Sequence, residues 1–200
     1  MKLSSALTLL ALAAAPALSS AATPFLVDFE KNWSYGEAVD NTYAASGVTF
    51  TNVLGFSNDP AFGSSYYSNA PSPLGVAMAQ LDGTVNTTAY INVANGVDGL
   101  LSFYYASPVD IVGAVKAYSG LNGTGTLLGT FNMVANGSSY DVWTPVNFSF
   151  SGTALSFDIT ASANAAGFDN ISAVPEPSSM GLILAALGLI GLVSTRRKQA

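Results

Sequence analysis

The sequence predicts an all-β fold: an antiparallel β-sandwich over residues 23–173, between an N-terminal signal-peptide helix and a C-terminal transmembrane helix. Three observations predict it. First, apolar and polar residues alternate with a period of two, as in Leu155, Phe157 and Ile159 against Ser156, Asp158 and Thr160. Such segments bury one face and leave the other in water. Second, turn pairs punctuate the alternation at Asp82-Gly83, Asn95-Gly96, Asp98-Gly99, Asn122-Gly123 and Asn136-Gly137, and these residue types tolerate the positive φ of hairpin turns. Third, uncharged, mainly apolar stretches lie at the two ends, over residues 6–15 and 180–193.

The N-terminal segment, 1–22, has the order of a secretory signal. Lys2 supplies a positive start, the apolar run follows, Pro16 breaks it, and Ser20-Ala21-Ala22 offers small residues for cleavage. The apolar run is shorter than the roughly 20 residues of a spanning helix. The exported chain is expected to begin at Ala22 or Thr23, after signal peptidase has acted.

The middle segment, 23–173, reads as short strands at 25–30, 48–54, 75–81, 88–93, 100–106, 111–118, 127–134 and 168–173, with two more around Phe148–Phe150 and Leu155–Ile159. Strands at this spacing, with turns between them and no helical period, belong to a sandwich or barrel. Residues 117–129 read as a strand, a Gly-rich loop and a return strand. Gly123-Thr124-Gly125 is followed by neither a Lys nor a helix, so it is a hairpin rather than a phosphate cradle.

Composition excludes several kinds of chemistry. The chain of 200 residues has no Cys and no His, which removes disulfides, Cys-ligated zinc, Cys nucleophiles and any His-dependent triad. The middle segment has eleven acids against two bases, Lys31 and Lys116, and no Arg. Nucleic acid is therefore not an expected partner, and Arg clamps for phosphate or carboxylate are missing. A glycoside hydrolase can run on two carboxylates, but no pair among the eleven is singled out, so no catalytic residue is assigned and the domain is expected to be non-catalytic.

The C-terminal segment, 174–200, has three parts in fixed order. Pro175-Glu176-Pro177 makes an extended spacer, because proline supplies no N–H to a ladder or helix interior. An uncharged apolar stretch follows, extended by flanking Ser and Thr to a transmembrane helix at 179–195. Arg196, Arg197 and Lys198 close it, a basic cluster that the positive-inside rule leaves cytoplasmic. This arrangement resembles the PEP-CTERM sorting signal of bacterial envelope proteins. The resemblance implies that an exosortase, a membrane-embedded processing enzyme, recognises the tail and removes or exchanges it during export. It also implies an inner-membrane intermediate, a final place at the cell surface or in the extracellular matrix, and exopolysaccharide as a partner.

The middle domain opens with Val27-Asp28-Phe29-Glu30 and closes with Gly167-Phe168-Asp169-Asn170-Ile171. In this it resembles the jelly-roll domains of carbohydrate-binding modules and galactose-binding-like proteins, whose first and last strands lie side by side and whose acids there can hold a structural Ca²⁺. Carried onto this chain, the resemblance makes Asp28, Glu30 and Asp169 the expected calcium ligands; Ca²⁺ takes six to eight oxygens. Trp33, Tyr66, Tyr67, Tyr104, Tyr105, Tyr118, Tyr140 and Trp143 are the aromatic residues able to stack on sugar rings, with core packing as their other role. Tyr104 and Tyr105 must point to opposite faces of a strand. The leading reading is a structural or interaction module of the envelope or biofilm matrix; the alternative is a secreted carbohydrate-binding module with structural calcium.

Overall fold

The computed structural model describes residues 24–58 and 66–173. Among them lie nine strands: β1 (Phe25–Val27), β2 (Val48–Thr51), β3 (Val53–Phe56), β4 (Val76–Ala79), β5 (Tyr90–Ala106), β6 (Ile111–Tyr118), β7 (Leu127–Met133), β8 (Thr144–Asp158) and β9 (Gly167–Ala173). Every pairing between them is antiparallel. The all-β, antiparallel expectation holds. The signal peptide at 1–22 and the tail at 174–200 lie outside the described residues.

The order β3-β4-β9-β5-β8-β6-β7, with β1 on β9 and β2 on β5, is one sheet curled on itself. Two long strands make the curl. The first part of β5 pairs with β2 and with the end of β8; its second part pairs with the start of β8 and with β9. Ring contacts then close the core across the curl: Phe131 of β7 lies 5.6 Å from Phe103, 6.2 Å from Tyr105 and 6.0 Å from Phe148.

The long strands correct two sequence expectations: the strands expected at 88–93 and 100–106 are one strand, and those expected around Phe148–Phe150 and Leu155–Ile159 are both parts of β8. Asn95-Gly96 and Asp98-Gly99 do not end a strand. Residues 90–106 run on as one strand whose register with β8 shifts between Asn92 and Val97 and again between Asp98 and Leu100. Gly96 and Gly99 have φ of +74° and +68°, which lets the strand bulge and turn the corner between the two halves. A glycine able to make a hairpin is equally able to make a bulge, and only the partner strand distinguishes them. Conversely, the single strand expected at 48–54 is broken at Asn52, where φ is 54°, into β2 and β3.

Asp82-Gly83 and Asn122-Gly123 are turns as expected, with φ of +75° at Gly83, +54° at Asn122 and +68° at Gly123, whereas neither Asn136 nor Gly137 takes a positive φ and both lie in the long connection between β7 and β8. Asp82 Oδ1 accepts N–H groups from Thr84, Val85 and Asn86, and these bonds, led by that of Thr84, hold its carboxyl below the ordinary carboxylate value. The Gly-rich loop between β6 and β7 is a fixed hairpin. Ser156 Oγ donates to Gly120 O and accepts from Gly123 N–H, while Asn92 and Asn122 exchange two hydrogen bonds of 2.8 Å. That is why Ser156, on the polar side of its alternation, is completely buried.

Trp33 is locked by two glycines. A Cβ on Gly55 of β3 would fall 2.0 Å from its Cδ2, and one on Gly75, just before β4, 2.7 Å from its Nε1. The indole therefore lies directly on two backbones, its Nε1–H donating to Phe29 O at 3.0 Å and its backbone N–H to Ser57 Oγ at 2.8 Å. Lys31 Nζ sits 4.4 Å from the ring centroid and pairs with Glu37.

Candidate functional site

The first and last strands lie side by side, as the resemblance implied: Phe25, Leu26 and Val27 oppose Ala173, Ser172 and Ile171. This brings Asp28, Glu30 and Asp169 to one region, around Tyr43. Burial first, and then the charges of Asp28, Asp169 and Glu30, push the Tyr43 hydroxyl up to about 12. Burial likewise raises Tyr67 to about 12, with Asp169 and Glu30 adding to it.

Asp169 is fully buried. Its Oδ2 accepts the Ser72 N–H at 2.7 Å and its Oδ1 the Asn170 N–H at 2.7 Å. Burial pushes its carboxyl from 3.8 to about 6; the two amide bonds oppose the rise and the Glu30 charge adds to it. Glu30 Oε1 accepts the Leu74 N–H at 2.8 Å, and Asp28 Oδ1 accepts the Glu30 N–H at 3.2 Å. Four of the six carboxylate oxygens thus accept a backbone N–H. Among the described residues, no group of three or more acidic, His or Cys side chains is gathered closely enough to hold a metal ion.

What the two acids hold is a loop. Ser72 and Leu74 belong to residues 66–74, and the Tyr67 hydroxyl donates to Pro73 O in the same stretch at 3.2 Å. On its other side the loop is tied to the connection between β7 and β8. The Ser68 N–H donates to Tyr140 O, Trp143 Nε1–H to Ser68 O and Asn69 Nδ2 to Asp141 O, at 2.9, 3.0 and 3.2 Å.

Between these two segments opens a cleft of about 220 Å³. Its floor is the outer face of β3, β4 and β9. Phe56 opposes Val76, and Met78 opposes Gly167, while Ala77 and Phe168 on the alternate positions face the core. Its walls are Tyr66, Tyr67, Tyr140 and Trp143, with Gln80 at the margin. Phe56 and Tyr66 meet edge-on at 5.8 Å, and Tyr67 and Trp143 at 6.4 Å. The polar tips of Tyr140 and Trp143 bond to backbone carbonyls, at Ala165 and Ser68, which leaves ring surface to line the cavity. None of the lining residues is an acid, Lys or Arg.

Of the eight aromatic residues named from sequence, four line this cleft: Tyr66, Tyr67, Tyr140 and Trp143. Trp33 and Tyr105 are core residues at 6% and 5% exposure, and the Tyr105 hydroxyl donates to Val134 O. Tyr104 is half-buried on the opposite face of β5, and Tyr118 is half-buried at the end of β6. Sequence reasoning did not single out Phe56, Val76, Met78 and Gln80. The available signal was apolar residues at both parities of the 75–81 segment, which mark a strand covered on both faces. Pro175, Glu176, Pro177, Arg196, Arg197 and Lys198 lie outside the described residues.

Residues 173–198 match the PEP-CTERM protein-sorting motif, as the tail's three-part order implied. No curated protein matches the chain. Among solved structures, the chain is similar to CBM35 from Paenibacillus barcinonensis, at 16% identity and a TM-score of 0.41, covering 76% of this chain and 99% of that one. It is also similar to CBM29_1, a family 29 carbohydrate binding module from Piromyces equi, at 13% identity and a TM-score of 0.35, covering 75% and 90%.

Proposed function

We propose that the chain is a protein of the bacterial envelope or extracellular matrix, exported after loss of its signal peptide, whose β-domain is a non-catalytic structural or interaction module. One observation carries the reading: the sorting motif at 173–198 begins at the last residue of the last strand. That motif marks an exosortase-targeted, exported chain that passes through a membrane-anchored intermediate on its way to the cell surface. In processing, one peptide bond of the tail breaks. Water or an acceptor nucleophile takes the acyl carbon, and the new amine stays on the membrane-held piece. Intact mass of the protein exported by a host with an exosortase tests this. The expected mass ends near Pro175–Pro177 and lacks both the apolar stretch and the basic end; retention of Arg196–Lys198 would mean an uncleaved anchor.

The second reading is a carbohydrate-binding module with structural calcium. The aromatic cleft supports its first half. Ring faces without charge suit the apolar face of a neutral sugar, and a segment with eleven acids and two bases repels anionic polymers. The volume of about 220 Å³ is below the roughly 300 Å³ of a drug-sized site, so it suits a single ring. The calcium half draws on Glu30 and Asp169 acting on one another while Lys31 is engaged by Glu37. A cation there must draw the three acids closer together and compete with the amide donors. Binding of the exported protein to neutral polysaccharides, with Trp143→Ala as the control, separates this reading from the first.

A further inference from the structure

Ala173 belongs both to the fold and to the sorting signal. It ends β9 and begins the matched motif. It is 5% exposed and opposes Phe25 of β1, itself 7% exposed. One position earlier, Ser172 is paired on both sides, with Leu26 of β1 and Ser102 of β5. The end of β9 is therefore an interior strand rather than a fraying edge. Only Val174 separates it from Pro175, where the missing N–H stops any ladder. Two to four residues of chain span at most about 7–14 Å, so an enzyme acting on Pro175–Pro177 works against the sandwich itself. The same pairing puts the start of the exported chain one strand spacing, about 5 Å, from the start of the tail.

We propose that β1 is a clasp on the sorting signal, and that tail processing is limited by release of β1 from the last residues of β9. The clasp is more than a pairing of three residues, because Val27 is completely buried and Phe25 nearly so; opening it exposes both. This inference rests on the exosortase reading. Its test is the half-time of tail loss for the full chain, by pulse-chase in a host with an exosortase. Six Gly/Ser residues inserted between Ala173 and Val174 move the signal clear of the clasp and should shorten the half-time several-fold. Leu26→Cys combined with Ser172→Cys, at register partners, lets a disulfide lock β1 to β9. It should lengthen the half-time several-fold, with each single variant behaving as the parent. The insertion arm stands whether or not the disulfide forms. Equal half-times for parent, insertion and oxidised double variant overturn the clasp while leaving the exosortase reading intact. A parent chain that keeps its tail overturns both.

Discussion

Gly55→Ala should unseat Trp33, and the structure supplies the size of the effect. The new Cβ would lie 2.0 Å from Cδ2 and 2.4 Å from both Cγ and Cε3 of the indole. These are rigid ring atoms, so no rotation of a flexible end relieves the overlap. The ring cannot slide away either, because Gly75 presses on its other edge, with a virtual Cβ 2.7 Å from Nε1 and 2.8 Å from Cδ1. Displacing the indole exposes about 150–250 Å² of aromatic surface; at about 25 cal/mol per Å² this is ~4–6 kcal/mol before relaxation. It also breaks the bond to Phe29 O, worth about 1 kcal/mol. Partial repacking brings the expected loss to about 3–5 kcal/mol, the range of large aromatic truncations. For a domain of this size that lowers Tm by about 10–15 °C. Thermal melts of the exported protein, followed by circular dichroism and tryptophan emission, read both the loss and the exposure of the ring. Gly36→Ala is the control: it has a φ of +73° but nothing within 4 Å of its virtual Cβ, so it carries the left-handed penalty of about 1 kcal/mol and no overlap. A Gly55→Ala melt no lower than that of Gly36→Ala would refute the slot.

Other outcomes follow from the same geometry. Asp169 titrates in the fold at about 6, above its ordinary 3.8, so the folded state holds its proton more tightly. Its contribution is fully present below about pH 4 and is lost as pH rises through about 6, up to ~2–3 kcal/mol. Melts of the parent should fall across that window, those of Asp169→Asn should not, and parallel curves would contradict the burial argument. Ser156→Ala removes the donor to Gly120 O and the acceptor for Gly123 N–H. It should cost about 1–3 kcal/mol and raise amide exchange at Gly123 without changing exchange in β9; uniform exchange changes would show a global effect. If calcium sits at Asp28, Glu30 and Asp169, added Ca²⁺ raises the melt by several degrees and Asp169→Ala abolishes the gain. Equal melts in Ca²⁺ and chelator remove the ion.

The acids and the aromatic residues were legible to different degrees. Asp28 and Glu30 follow the first strand and Asp169 lies within the last, and the two strands do pair. The partners of these acids were invisible: the Ser72 and Leu74 amides are 97 and 44 residues away in sequence, and backbone donors leave no trace in residue type. Trp33 and Trp143 look alike as letters. One is sealed by Gly55 of β3 and Gly75 just before β4, while the other lies over Gly167 as a cavity wall.

By itself the sequence determined what depends on neighbours along the chain. Period-two alternation is a property of adjacent side chains, so β-structure was readable. The sorting motif is a linear string, and the charge balance is a sum over residues. Tertiary structure alone decided which turns became bulges, which aromatic residues became cleft walls, and where a core strand runs into an export signal. Each of these depends on what lies across the sheet, tens of residues away, where a hydrogen-bonding partner or a void is set by packing rather than by local preference.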